Sequence, residues 1–198
     1  MNRFKQAGIF AGVGLAAIVA GKVVAGTYGY LRPHHAPGIA RVGEAELATG
    51  DRPDPEATPG AVDTAVSQAN LPTTICRPGY ARSVRPPYSV TGPIKRAAMA
   101  RSHPREPFSA YELDHLIPLS LGGAPLDRRN LWLQPRSGKW NADRKDALEF
   151  VLWRLVCDRK EGLAKAQTKI ATDWQAAYRE YATPANLARY HYRGGENP

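Results

Sequence analysis

The chain has 198 residues, enough for one domain with a substantial core plus extensions, and short of two full domains. Its hydrophobic content of 43% excludes a wholly disordered chain, and its two cysteines exclude a four-cysteine zinc site. The net charge of +9 is unevenly placed: residues 1–70 carry six basic and six acidic residues, whereas 71–198 carry 21 and 12. A basic region behind a neutral leader suits a polyanionic partner, although a solvated basic surface has the same composition.

In chain order, Arg3 and Lys5 provide a positive start, and Ala7 to Gly21 is an uncharged apolar run. Lys22 interrupts it before a second apolar stretch, Val23 to Tyr30. Residues 1–31 therefore read as a signal peptide or a membrane anchor, with small residues for cleavage at Ile18-Val19-Ala20 and Val23-Val24-Ala25. The expected localisation is exported, periplasmic or extracellular, with tethering to the inner membrane if the segment stays uncleaved. Residues 32–72 are rich in Pro, Gly and Ala, lack a sustained period, and read as a linker. The His34-His35 pair within it reads as incidental.

The domain is expected over 73–183. Thr74-Ile75-Cys76, Ala81 to Val84 and Tyr88-Ser89-Val90 read as short extended pieces between Pro78-Gly79 and Pro86-Pro87. Pro93 is placed at the first turn of a helix running to Ser102. Tyr111 to Leu119 reads as a strand, Asn130 to Leu133 as a second, and a helix is expected from Asn141 to about Asp158. Leu148, Val151, Leu152, Leu155 and Val156 give that helix an apolar stripe. Leu163, Ala166, Ile170, Trp174, Ala177 and Tyr181 predict a second helix packed on it. Residues 184–198 read as a C-terminal tail. His103 and His191 read as surface residues.

Cys76 and Cys157 make one disulfide if the compartment is oxidising, and two unpaired thiols if it is not. The bridge would close an 81-residue loop, roughly 4–5 kcal/mol in the chain-entropy model.

The residues with chemistry to offer lie on the strand–loop–strand–helix unit between 111 and 157. Asp114-His115 sits on the first strand, Gly122-Gly123 in the loop, Asn130 fifteen residues after His115, Asn141 eleven further on, and Lys145-Asp146 in the first turns of the helix. His115 is suited to general-base work because its reference pKa lies near operating pH, and Asp114 is a hard oxygen donor for a divalent ion. Arg128, Arg129, Arg136, Lys139, Arg144 and Lys145 gather around this stretch as candidate phosphate contacts.

Asp-His-Leu-Ile-Pro at 114–118, Gly122-Gly123, Asn130-Leu131-Trp132 and Lys145-Asp146 resemble the catalytic motif of the HNH (His-Me finger) nucleases. They are similar in particular to small exported bacterial HNH-like proteins, in which a segment like Cys76-Arg77-Pro78-Gly79-Tyr80 precedes the motif. The resemblance covers about residues 73–182. It implies an α+β fold with a ββα-metal core and additional packed helices, here preceded by an apolar helix and a linker. It implies that His115 activates water and that Asn130 orders the loop holding that histidine. Asp114 would bind a divalent ion, most plausibly Mg²⁺, with Mn²⁺ or Zn²⁺ as alternatives. Asn141 is the best match for the remaining metal position and Asp146 the alternative, while Lys145 is placed at the scissile phosphate. The expected activity is metal-dependent cleavage of DNA, and of RNA as a second substrate, with low sequence specificity because phosphate contacts carry no base information. The competing expectation is a catalytically silent nucleic-acid-binding module. Trp140, in the loop before the helix, is the tryptophan expected beside the substrate.

Overall fold

The computed structural model of the chain describes residues 47–195. The expected leader over 1–31 lies outside these residues. No helix among those described is long and apolar enough to cross a membrane.

Alternation of side chains builds two strands. Strand β1, Tyr111–His115, pairs antiparallel with β2, Leu131–Pro135, in a register that sets Leu113 against Leu133 and Asp114 against Trp132. Because successive residues face opposite ways, the two-stranded sheet divides the domain in two. Leu131 and Leu133 pack with Leu47, Ala98 and Met99 on one side, whereas Trp132 joins the larger core on the other.

Among the described residues the sheet is accompanied by five α-helices. Helices α1, Tyr80–Val84, and α2, Tyr88–Ser102, replace the extended pieces expected over 81–90. Pro87 stands as the N-cap of α2, so Pro86-Pro87 starts a helix instead of breaking a strand, and Pro93 lies inside it rather than at its first turn. Helix α3, Ala142–Cys157, and α4, Leu163–Tyr181, follow the expected stripes and contribute Leu148, Val151, Leu152, Ile170 and Trp174 to the main core. Helix α4 breaks at Asp173, whose backbone is extended and whose carboxylate accepts the Ala176 N–H at 3.0 Å, starting the second half. Helix α5, Pro184–Arg189, capped by Thr183, and the buried Tyr190 occupy the expected tail and extend the core.

The disulfide is present. Cys76 and Cys157 are bonded with their Cα atoms 5.5 Å apart, tying the segment before α1 to the end of α3.

The largest departure from the sequence reading is the stretch 47–72, which folds as part of the domain. Leu47, Ala48, Val66 and Leu71 are buried. Thr49 bridges Leu133 in parallel, and Leu133 N–H donates to the Ala48 carbonyl at 2.9 Å, so this strap adds a third strand-like edge to the sheet. Further on, Gly60 N–H donates to the Arg129 carbonyl at 2.9 Å and Ala124 N–H to the Ala61 carbonyl at 2.9 Å. Gly60 has φ +89 and its missing Cβ would lie 2.9 Å from Ile117, so a side chain is excluded there on both counts. His103, expected as a plain surface residue, stacks on Tyr111 and bonds both Thr49 and Glu106, pinning the strap to the end of α2.

Candidate functional site

Glu112 and Asp114 leave β1 on the face turned toward α3, with Gln134 and Trp132 directly across the ladder. Lys145 reaches from the first turns of α3 into this face and is fully buried. Its ammonium donates to Asp114 Oδ2 at 2.6 Å, to the His115 carbonyl at 2.7 Å, and to the Glu149 carboxylate one turn along the helix. An ammonium has three protons, and all three are used. Trp132 Nε1 donates to the same Asp114 oxygen at 3.3 Å. Lys145 is therefore a brace between β1 and α3. The expected contact of Lys145 with the scissile phosphate is overturned, because a fully buried ammonium with three protein partners cannot meet a ligand.

Four carboxylates surround this one buried ammonium, with the half-exposed Arg136 pairing Glu112 at 3.0 Å. Burial opposes ionisation of Asp114, but Lys145 outweighs it and holds the carboxyl below its ordinary value. The others move the opposite way. Burial, then Asp114 and Asp146, push Glu112 up to about 7. Burial, then Asp114, push Asp146 up to about 6. Burial raises Glu149 to about 8 against the pull of Lys145. The cluster has more negative charge than its cations offset, so it favours protons or an added cation.

His115 ends β1 and is only 5% exposed. Its Nε2 lies 2.9 Å from the Pro125 carbonyl. A carbonyl only accepts, so Nε2 carries the proton, and in the neutral ring Nδ1 keeps its lone pair. Burial, working against the nearby Asp114, lowers the imidazole pKa and keeps the ring neutral at pH 7. Exposed Arg85, in the turn between α1 and α2, acts on the same ring in the same direction as burial.

Asn130 is fully buried and clamps the loop after His115. Its Oδ1 accepts Ile117 N–H at 2.8 Å, and its Nδ2 donates to the carbonyls of Ile117 at 2.9 Å and Ala124 at 3.1 Å. Gly123 allows this closure, since a Cβ there would lie 1.8 Å from the Ile117 carbonyl oxygen.

Asn141 is the N-cap of α3: its Oδ1 accepts Arg144 N–H at 3.3 Å and its Nδ2 donates to Asp143 at 3.3 Å. Of the two residues weighed for the remaining metal position, Asp146 is the one within electrostatic reach of Asp114 and Glu112. Among the described residues no three His, Cys, Asp or Glu side chains stand together as a ready metal site. Gln134 is nevertheless informative. It is 1% exposed, lies across the ladder from Glu112, and neither of its amide atoms has a hydrogen-bond partner. A buried amide costs free energy unless something meets it. Its Oε1 and the neighbouring carboxylates are hard oxygen donors, which fit Mg²⁺ or Mn²⁺ held through few protein groups and suit Zn²⁺ poorly.

The remaining cations divide. Arg129 is engaged by Asp127 and Arg136 by Glu112, whereas Lys139 and Arg144 are exposed and lie over the Trp140 ring. Arg128 belongs to the short turn that leads into β2. The sequence reading missed Glu112, Glu149, Gln134 and Arg85. The i, i+2 step from Asp114 and the i, i+4 step from Lys145 point to the first two, but Gln134 and Arg85 have no comparable signal.

No family model, curated protein or solved structure matches the chain.

Proposed function

We propose that this protein is a metal-dependent endonuclease that hydrolyses the phosphodiester bonds of DNA, and of RNA as a second substrate, with low sequence specificity. The observation that carries the reading is the state of His115, a neutral imidazole with Nε2 fixed on the Pro125 carbonyl and Nδ1 left basic, beside the carboxylate cluster of Asp114 and Asp146. His115 Nδ1 takes a proton from water, the water oxygen bonds to phosphorus, and the bond to the leaving oxygen breaks. Asn130 keeps the imidazole in place through the Ile117–Ala124 loop. Asp114 and Asp146, with the unpartnered Gln134 Oε1 across the ladder from Glu112, are the groups that would hold Mg²⁺ or Mn²⁺. When bound, such an ion neutralises charge on the phosphoryl and leaving oxygens.

That no three-ligand group stands ready among the described residues favours a second reading, a catalytically silent nucleic-acid-binding module. One experiment separates the two. The oxidised full chain is incubated with plasmid DNA and Mg²⁺ or Mn²⁺, with EDTA and His115→Ala as controls. Cutting that is lost in both controls supports the nuclease. Salt-sensitive retention of DNA without cutting supports the silent module, and neither result leaves both readings without a basis.

A further inference from the structure

Away from the carboxylate cluster, on the flank of α3 that faces α4, three exposed cations converge on one half-buried indole. Lys139 Nζ lies 5.8 Å from the centre of the Trp140 ring, Arg144 Cζ 5.7 Å and Arg179 Cζ 5.4 Å. Arg144 also stands 5.4 Å from the Tyr178 ring, and Tyr178 and Trp174 meet Trp140 edge-on at 5.7 and 5.6 Å. The indole is thus fixed from α4, and the cations are gathered from the loop before α3, the first turn of α3 and the second half of α4.

Two features make this arrangement unusual for plain packing. None of the three cations is in an ion pair among the described residues, although Lys165, Lys169 and Arg52, also on or against α4, each have a carboxylate. Three like charges around one ring repel one another, and the negative ring face offsets only part of that repulsion. Arg144 also occupies the first turn of the 16-residue α3, where the helix dipole disfavours a cation and favours an anion. An anionic ligand removes both penalties at once.

We propose that Lys139, Arg144 and Arg179 around Trp140 form a second binding site of the protein, which holds the sugar–phosphate backbone of a nucleic acid. The partner rests on the nuclease reading above. The site itself rests on the charge cluster. The aromatic wall holds the two guanidinium groups near ring faces, which limits the freedom they lose when they meet phosphates. Trp140 lies in the loop just before α3, whose first turn carries both Arg144 and the buried Lys145.

The test is binding, not cleavage. Fluorescence anisotropy of a labelled 20-nucleotide single-stranded DNA is measured with the full chain in EDTA, across a salt series. The triple variant Lys139→Gln, Arg144→Gln, Arg179→Gln is compared with a control triple, Arg82→Gln, Arg96→Gln, Arg105→Gln, which removes the same charge from exposed positions elsewhere. The site predicts at least a tenfold loss for the first triple, with the slope of log K against log salt falling by about two, and a loss under threefold for the control. Trp140→Phe should retain binding and Trp140→Ala should weaken it, with near-UV circular dichroism reporting whether each variant is folded. Equal losses in the two charge triples overturn the proposal in favour of general attraction. Failure here with metal-dependent cutting intact rejects this site alone, and loss of cutting with the binding difference intact rejects only the nuclease.

Discussion

Lys145 Nζ lies 2.6 Å from Asp114 Oδ2 across the junction of β1 and α3, and the same ammonium holds the carbonyl of His115. One buried charge therefore fixes two neighbouring candidate site residues. Removing one partner of a buried ion pair leaves the other uncompensated. Lys145→Met is expected to lose about 3–5 kcal/mol in urea unfolding. Glu149→Gln is expected to cost less than Lys145→Met, because Gln keeps an oxygen that accepts from the Lys145 ammonium and burial already opposes the charged form of Glu149. Equal losses would show that the brace does not depend on Lys145 charge.

The raised carboxyls give a pH dependence with a definite sign. Glu112 at about 7 and Asp146 at about 6 bind protons more tightly in the folded chain than in the unfolded one. Their contribution to stability is present near pH 4 and lost as pH rises through 6 to 7. In EDTA, Asp146→Asn should therefore become more stable relative to the parent as pH rises from 4.5 to 7.5, by about 1 kcal/mol after allowance for solvent screening. Thermal unfolding at the two pH values checks this, and a constant difference would remove Asp146 from the buried cluster.

Asn130 makes three hydrogen bonds to the loop after His115 while fully buried. Asn130→Asp cannot donate to the Ile117 and Ala124 carbonyls and is expected to cost about 2–4 kcal/mol, more than one lost bond, because buried acceptors then face each other. Gly123→Ala should cost a similar amount, since its Cβ would overlap the Ile117 carbonyl. Both should lower any DNA cleavage in step with the displacement of His115, read from its imidazole NMR shifts.

A chain beginning at residue 73 loses Leu47, Ala48, Ala61, Val66 and Leu71, all buried. At ~1.5–3 kcal/mol for each of the three large side chains, Leu47, Val66 and Leu71, the loss is comparable with the whole stability of an ordinary domain. That truncation should lack near-UV circular dichroism, whereas a chain beginning at residue 42, the start of the compact unit, should keep it.

Reduction of Cys76–Cys157, which closes an 81-residue loop, should destabilise the domain by roughly 4–5 kcal/mol, and the Cys76→Ser, Cys157→Ser variant should reproduce that loss.

The apolar stripes of α3 and α4 and the pairing of β1 with β2 were legible because their periods are local. The strap over 47–72 was not, since its backbone partners, Arg129 and Leu133, lie more than sixty residues away. Pro86-Pro87 reads equally as a breaker or as a helix start, and only the packing of α2 on the sheet decides it. Asp114, His115 and Asn130 stand out by residue type and order. Lys145 was misplaced because a lysine on a helix ordinarily faces water, and nothing local marks the carboxylates that draw it inward. Arg179 escaped notice for a related reason, as its partner Trp140 lies in the loop before α3, far from it in the chain.

The strap also has a mechanical consequence. The chain enters the domain through Thr49 and Gly60, whose backbones are joined to β2 and to the 117–130 loop, and that loop supplies the Pro125 carbonyl that orients His115. Tension applied from the N-terminal side would load these few hydrogen bonds before it reached the helices. The part of the molecule that would peel first under such a pull is the part that aims the imidazole.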